Sequence, residues 1–152
     1  MKNKQHWLLK SEEGCYSIDD FKKDKKVAWT DVRNFQARNF IRDSMNKGDL
    51  ILFYHSNSNP TAVVGVGKIV SDAYPDPTAF DKKNEYFDPK SKKEKPTWFA
   101  RDVQFVRKLK TPVTLQQIKL DPKFSSMAVT QKGSRLSVLP VSQRHFELIV
   151  GK

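Results

Sequence analysis

The chain has 152 residues, 38% hydrophobic and 30% charged, a composition that suits one globular domain and excludes a largely disordered protein. Its 28 Lys and Arg against 17 Asp and Glu give a formal charge of +11, which favours a polyanionic partner such as DNA, RNA or an acidic membrane. A basic surface that serves only solubility is the alternative interpretation. The single cysteine, Cys15, excludes an internal disulfide and a cysteine-rich zinc site, and it indicates a reducing compartment.

The apolar runs of the sequence are short. The longest, residues 50–54 and 62–66, cannot cross a bilayer. Lys10, Glu12 and Glu13 interrupt the stretch that could have formed the core of a signal peptide. We therefore expect no membrane partner and no export, and a cytoplasmic protein in a bacterium or a nuclear one in a eukaryote.

The first third of the chain predicts two strands and two capped helices. Residues 6–10 form an apolar strand, and Ser17 followed by Asp20 has the spacing of a capping box at the start of a short helix. Residues 27–32 are expected to be extended. Asn34 can cap a second, amphipathic helix that ends at the glycine of the following "KGD".

The middle of the chain predicts three strands and one long loop. Residues 50–54 and 61–70 are apolar strands joined by the polar turn "HSNSNP". Residues 71–96 are rich in Pro, Asp and Lys, and they predict an ordered loop held in place by its own aromatic side chains. Residues 99–109 alternate between an apolar and a polar face, as a half-buried strand does.

The end of the chain predicts two more helices with a strand between them. Thr114 and Gln117 predict a third capped helix, "SRLSVLPV" a closing strand, and Ser142 the start of a C-terminal helix. Five or six short strands with helices and loops between them predict an α+β fold. We expect a small curved sheet or barrel, not a doubly wound sheet, in a single domain over residues 1–152.

Signs of catalysis are weak. The three histidines lie far apart in the sequence, so we expect no metal site, and no phosphate-cradling motif or other cofactor signature is present. His55 and Ser56 could join a catalytic arrangement, but no nucleophile-elbow glycines accompany them. We expect a protein that is not an enzyme. A small hydrolase acting on modified nucleotides, with His55 as the base, is the alternative.

Residues 90–110 combine positive charge with aromatic rings. They hold eight Lys or Arg and two acidic residues, with Trp98 among them. Basic side chains interleaved with aromatics can follow a phosphate backbone while bases stack. We predict that four of these cations bind phosphate, namely Lys90, Lys92, Lys93 and Arg101. A solvated strand edge that lysines protect from aggregation is the alternative.

The stretch "WTDVRNFQARNF", residues 29–40, combines a large aromatic with several polar side chains. Trp29 beside Asn34 at a helix start offers a flat stacking surface, a side-chain amide and free backbone N–H groups, which together can hold a nucleobase by its face and edge. Arg33 and Arg38 could bind phosphate nearby, with Gln36 in support. The alternatives are a core Trp29, a purely capping Asn34, and arginines paired with Asp31 or Asp43.

A second polar cluster, "FYHSN", ends an apolar strand. Strand-end loops on a rigid scaffold often display binding groups, so Tyr54, His55, Ser56 and Asn57 are predicted to join Trp29. If Tyr54 faces the site, alternation places the preceding Phe in the core. A buried phenol and plain turn chemistry at Asn57 are the alternatives.

Several stretches together resemble the EVE domain family, the stand-alone bacterial relatives of thymocyte nuclear protein. They occur in the family's order over nearly the whole chain: "HWLLKSE", "YSIDDF", "WTDVRNFQARNFIRD", "KGDLILFYHSN", "AYPDPTAFD", "YFDPKS", "WFARDVQFVRK", "PVTLQQIK" and "RLSVLPVS". Phe80, where relatives often have Trp, and Thr30, in place of a common acidic residue, depart from the family pattern.

The resemblance implies a PUA-like fold, a small twisted mixed β-barrel with peripheral helices, related to YTH domains. It also implies a nucleic-acid partner, DNA or RNA, that carries a modified base such as methyl- or hydroxymethylcytosine, and no established catalytic activity. The family's pocket includes the segments matching residues 29–38 and 54–57, with contributions from Lys10, Ser11 and residues 135–137. Arg135 is thus a further phosphate ligand and Ser137 a supporting residue.

We therefore predict that one base stacks on Trp29, with Tyr54 or Trp98 on its other side. We also expect a monomer. An RNA-binding PUA-like module for tRNA or rRNA is an alternative function.

Overall fold

The computed structural model describes residues 5–56, 58–130 and 136–151. Its strands are β1 (His6–Glu12), β2 (Lys26–Trp29), β3 (Leu50–Ser56), β4 (Ala62–Ile69), β5 (Tyr74–Pro75), β6 (Phe99–Thr114) and β7 (Val138–Val141). Its α-helices are α1 (Ile18–Asp24), α2 (Phe35–Asn39), α3 (Leu115–Leu120) and α4 (Gln143–Val150). The predicted α+β class is confirmed.

The strands form one mixed sheet. Along the sheet the order is β2-β6-β4-β3-β1-β7, and β5 pairs with β6. Only β1 and β3 pair in parallel among these strands; the other pairs are antiparallel. Within the described residues β2 and β7 lie at opposite ends of this order, so the sheet is open. The structure therefore has an open sheet where a barrel was expected. It has seven strands instead of five or six because the predicted loop contains the two-residue strand β5.

Side-chain caps begin the helices where the sequence predicts them. Ser17 and Asp20 exchange hydrogen bonds at α1, and Thr114 and Gln117 do the same at α3. Asn34 Oδ1 accepts from the Ala37 N–H at α2, and Ser142 caps α4 in the same way. The predicted second helix continues beyond Asn39 as a π-helical turn, Phe40–Ser44.

The central strand β3 is buried on both faces. Ile51 and Phe53 pack in one apolar cluster, with Trp29 against its edge, while Leu52 and Tyr54 pack in the cluster on the other face. Strands of this kind are apolar along their whole length because both sides of the sheet are covered. Phe53, not Tyr54, therefore faces the same side of the sheet as Trp29.

Close packing of β4 against α1 depends on Gly65. A Cβ at this position would collide with Ile18 Cδ1 and lie 3.0 Å from Arg107 O. We expect Gly65→Ala to lower the free energy of unfolding by about 1–3 kcal/mol, as overpacking does. Urea denaturation measures the loss. Gly14→Ala is the matched control, since a Cβ there meets nothing within 4 Å. Equal stability of the two variants would contradict the prediction.

Candidate nucleic-acid interface

An open cleft of about 830 Å³ lies where β1, β2 and β3 end. Because β1 and β3 run in parallel, their carboxyl ends meet at one edge, where Ser11 is in register with His55 and Glu12 with Ser56. The walls are both polar and apolar. They consist of Lys10, Ser11, Glu12, Cys15, Tyr16, Val27, Ala28, Trp29, Thr30, Asp31, Val32, Ser56, Tyr86 and Ser137. The volume falls in the range of small-molecule sites.

Trp29 is the last residue of β2 and lines this cleft. Its indole packs edge-on against Phe53, with ring centroids 5.8 Å apart and planes at 88°. The side chain is only partly buried, so the indole is anchored on the core without being sealed inside it. An aromatic ring that is held in place and open to a cleft meets the geometric requirement for base stacking.

The chain makes a strained turn immediately after Trp29. Asp31 has φ 73°, a left-handed conformation that is uncommon outside glycine. Its N–H donates to Asp76 Oδ2 over 2.8 Å, and Arg33 Nη1 donates to the same oxygen over 3.1 Å. Thr78 donates to Asp76 Oδ1 through both its N–H and its hydroxyl. The buried carboxylate of Asp76 therefore holds the turn in place.

The charge of Asp76 is stabilised despite its burial. Burial raises the pKa of the Asp76 carboxyl, but donors from Thr78, the Asp31 N–H and Arg33 outweigh it, so the pKa lies below its usual value. Asp76 is 0% exposed, and it balances the charge of Arg33. A buried ion pair of this kind becomes costly as soon as one partner is lost.

Arg33 connects this turn to the loop that follows β5. Its guanidinium donates to the Tyr86 carbonyl from both Nε and Nη2, and it lies over the rings of Tyr86 and Trp98, at 5.5 and 5.3 Å from their centroids. Arg33 was predicted to bind phosphate, with an ion pair to Asp31 as the alternative; in the structure it pairs with Asp76. Arg33 thus braces the wall that carries Tyr86, and its donors are used within the protein.

Asp31, which lines the cleft, also has an unusual atom. One carboxylate oxygen, Oδ1, is buried and has no hydrogen-bond partner among the described residues. Buried polar atoms in proteins nearly always have a partner, so an exception calls for an explanation.

Five predicted site residues lie together in the cleft: Lys10, Ser11, Trp29, Ser56 and Ser137. Burial lowers the pKa of the Lys10 ammonium, which lies 6.0 Å from the centre of the Tyr54 ring. The Lys10 N–H also donates to Ser137 O, which ties β1 to the chain before β7. Asn57 and Arg135 lie outside the described residues.

Four residues predicted for the base pocket do not line the cleft. Tyr54 is 3% exposed and packs on the opposite face of the sheet, where burial raises its pKa to about 12. His55 is buried, and its Nε2 accepts from the Ile18 N–H. Trp98 is 7% exposed, and its indole N–H donates to Asp88. Asn34 serves as the helix cap that we considered as its alternative role.

The predicted phosphate ligands fall into two groups. Arg101 is buried at 6% exposure and donates to the carbonyls of Ile41 and Ser71, which corrects its predicted place on the surface. Arg38 is partly buried and donates to Thr97 O. Exposed side chains are found at Lys90, Lys92 and Lys93, and also at Gln36, which was predicted as a supporting residue.

The cleft wall also contains three residues that were not predicted from the sequence: Tyr16, Asp31 and Tyr86. The Ser11 hydroxyl donates to Tyr16 O over 2.7 Å, so local chain geometry places Tyr16 there. A polar residue two positions after an aromatic strand end was the available signal for Asp31. Tyr86 is held in the wall by a hydrogen bond from Arg33, 53 residues away in the sequence. No local sequence pattern indicates this contact.

Comparison with known proteins identifies the family. The family model described as "EVE domain" matches residues 5–152. The chain belongs to the EVE domain family. Human thymocyte nuclear protein 1 is 38% identical over 95% of this chain and 72% of its own length.

Two solved structures are similar to this EVE domain. One is human THYN1 protein in complex with DNA that contains 5-methylcytosine, at 37% identity, TM-score 0.87 and coverage of 97% of this chain and 96% of that one. The other is the YTH domain of the Zygosaccharomyces rouxii MRB1 protein in complex with N6-methyladenosine RNA, at 14% identity, TM-score 0.57 and coverage of 99% and 87%. The second likeness confirms the expected relation to YTH domains at the level of the fold.

Two kinds of feature are absent from the described residues. No helix among them has the length and apolar character needed to cross a membrane. No group of three or more His, Cys, Asp or Glu side chains in the described ranges is arranged to hold a metal ion.

Proposed function

We propose that this EVE domain binds nucleic acid and holds one modified base, of the methyl- or hydroxymethylcytosine type, in the cleft beside Trp29. The observation that carries the proposal is the partly exposed indole, anchored on Phe53 and open to a cleft of about 830 Å³. The related human protein solved with DNA containing 5-methylcytosine supports this choice of ligand.

The cleft and the cationic surface contribute differently to the free energy of binding. Stacking on an aromatic side chain contributes about 1–3 kcal/mol per base, which is close to the few kcal/mol needed to unstack that base. The cleft therefore selects a base and adds little net affinity. Contacts to phosphates must supply the rest, and the chain's formal charge of +11 provides the cations.

A preference for a modified base needs both an apolar wall and a hydroxyl partner. Burying one methyl group contributes about 0.8 kcal/mol, roughly a fourfold preference, and Val27 and Val32 provide apolar surface in the cleft. A hydroxymethyl group needs a hydrogen-bond partner. Ser11 already donates its hydroxyl hydrogen to Tyr16 O, so its oxygen remains an acceptor for such a ligand.

We propose binding without turnover as the activity. His55 is the base that a hydrolase in this region would use, but its Nε2 lone pair accepts from the Ile18 N–H over 3.0 Å. Burial also lowers the pKa of the His55 imidazole. A side chain used in this way supports a structural role. Product formation from modified nucleotides that is lost in His55→Ala would contradict the proposal.

A binding panel tests the function. Single-stranded and duplex oligonucleotides, as DNA and as RNA, carry cytosine, 5-methylcytosine or 5-hydroxymethylcytosine at one position, and affinities are measured at two salt concentrations. We expect tighter binding to the modified strands and a steep loss of affinity as salt rises. Equal affinity for all three bases would contradict modified-base recognition, while preference for matched RNA would favour a module that senses the 2′-hydroxyl.

The exposed lysines of the 81–97 loop are proposed to contact phosphates. Lys90, Lys92 and Lys93 follow Tyr86, which lies in the cleft wall. Replacing all three by Gln is expected to weaken binding to modified and unmodified strands by the same factor. The slope of log K against log salt should become shallower by about 0.7–0.9 per lost phosphate contact.

The control for this triple variant replaces three other exposed lysines by Gln. Lys110, Lys119 and Lys123 are exposed and do not line the cleft, so Lys→Gln there keeps the net charge equal to that of the first variant. An identical loss in both triple variants would show that only total charge matters.

A further inference from the structure

The geometry points to Asp31 as the residue by which the cleft distinguishes a base with a 4-amino group from a base with a 4-carbonyl group. This inference rests on the proposed function, since it concerns a base in the same cleft. Its direct basis is that Asp31 lines the cleft and that its carboxylate oxygen Oδ1 is buried without a hydrogen-bond partner among the described residues.

The backbone at Asp31 is held in one conformation. Asp31 has φ 73°, and its N–H is held by Asp76 Oδ2, which Arg33 Nη1 also contacts. Strained backbone persists only where the surroundings over-determine it, and such residues concentrate at functional sites. The protein therefore fixes the backbone at Asp31, and with it the direction of the Cα–Cβ bond from which the carboxylate extends.

The nearby cation does not neutralise Asp31. Arg33 is two residues away, but its guanidinium donates to Asp76, Thr78 and the carbonyl of Tyr86. A salt bridge to Asp31 is not among the ion pairs of the described residues. The carboxylate thus remains available to a donor that enters with the ligand.

The chemistry of the missing partner follows from the chemistry of a carboxylate. An ionised carboxylate only accepts hydrogen bonds, so its partner must carry N–H or O–H. Cytosine and its 5-substituted forms present the 4-amino group on their edge, and acidic side chains accept from it. Thymine and uracil present a carbonyl oxygen at the same place. Two acceptors facing each other without a hydrogen would leave both unsatisfied.

Trp29 and Asp31 supply complementary contacts. Both line the cleft, and only Thr30 separates them in the chain. A base that stacks on the indole presents its edge, and the turn after β2 brings a carboxylate to the same cleft. Asp31 would select the ring's 4-position, whereas the apolar wall would sense the 5-substituent. The two selections are independent because different groups of the base make them.

The test uses two bases that differ at one place. Thymine and 5-methylcytosine carry the same 5-methyl group, and at position 4 thymine has a carbonyl where 5-methylcytosine has an amino group. Single-stranded oligonucleotides avoid the cost of unpairing, which would differ between a matched and a mismatched duplex. The wild-type protein is expected to bind the 5-methylcytosine strand about tenfold or more tightly than the thymine strand, as measured by fluorescence anisotropy.

Asp31→Asn should remove or invert this preference. The amide has the size of the carboxylate, Asn tolerates the left-handed conformation well, and its NH₂ can donate to a 4-carbonyl. Asp19→Asn is the matched control: Asp19 is exposed, pairs with Lys108 and lies outside the cleft lining. The control should keep the wild-type ratio. Thermal unfolding of both variants shows whether each is folded.

A third strand, with an abasic site at the same position, separates the role of Asp31 from the binding of a base in the cleft. If both base-containing strands bind more tightly than the abasic strand but equally well, the role of Asp31 is overturned and the base cleft stands. If all three strands bind equally, the cleft holds no base, and the proposed function fails as well. A wild-type preference that persists in a folded Asp31→Asn variant also overturns the inference.

Discussion

Asp76→Asn is expected to lower the free energy of unfolding by about 3 kcal/mol at neutral pH, a typical cost of breaking a buried ion pair from one side. The amide keeps an oxygen for Thr78 but turns an NH₂ group towards the Asp31 N–H and Arg33 Nη1, which now donate to Oδ2. The Asp31 N–H and Arg33 Nη1 would then face the NH₂ of the new side-chain amide, a third donor, with no acceptor between them. Urea denaturation with an unchanged m-value measures the loss.

An exposed carboxylate gives the matched control. Asp19 pairs with Lys108 over 2.8 Å at the surface, where an ion pair contributes about 0–1 kcal/mol. Asp19→Asn should therefore leave stability nearly unchanged. Should Asp76→Asn prove as stable as Asp19→Asn, the turn at Asp31 would not depend on this carboxylate.

Acid unfolding provides a second measurement of the same contacts. The folded-state pKa of the Asp76 carboxyl is depressed, so its ionisation contributes stability above the unfolded pKa of about 3.9. That contribution is lost as the pH falls from there through the folded pKa. The wild-type protein should lose stability in this acidic range more steeply than Asp76→Asn, which has no carboxyl to protonate at this position.

Short-range chemistry in this chain could be predicted from its sequence. The capping pairs Ser17 with Asp20 and Thr114 with Gln117 are three residues apart, and the structure has both. The apolar strands β3 and β4 also lie where their composition indicates. These features depend on neighbouring residues, so a local pattern contains the information needed to find them.

The faces of β3 could not be assigned from its own sequence. Alternation separates Phe53 from Tyr54, but both are buried because the central strand has an apolar cluster on each side. The side that carries the cleft is decided by a contact with a distant strand, since Trp29 of β2 packs on Phe53. Tyr54 was therefore predicted for the base pocket, although Phe53 is the ring that contacts Trp29.

Long-range contacts decide the polar part of the candidate site. Asp31 and Asp76 are 45 residues apart, and Arg33 reaches Tyr86 over 53. Neither pair has a signal in the sequence. Arg101 shows the same limit: its charge suggested a surface site, yet backbone carbonyls from two distant segments, at Ile41 and Ser71, accept its hydrogen bonds in the interior. A charged residue can be assigned to a ligand only after the protein's own acceptors have been located.

Trp29→Ala is expected to weaken binding to strands that carry a modified base by about 5- to 150-fold, the equivalent of about 1–3 kcal/mol of lost stacking. Trp29→Phe should recover part of this loss because a smaller ring still stacks. Anisotropy titrations measure the affinities, and thermal unfolding confirms that each variant keeps its fold after losing contact with Phe53.

The control for Trp29→Ala is Phe35→Ala, which removes an aromatic ring that is 59% exposed and stacks on Trp98 outside the cleft lining. Phosphate contacts are unchanged in Trp29→Ala, so the salt slope should stay at the wild-type value while affinity falls. A loss of base selectivity with an unchanged salt slope would separate the cleft from the cationic surface. Unchanged affinity and selectivity in a folded Trp29→Ala variant would instead place the base elsewhere on the protein.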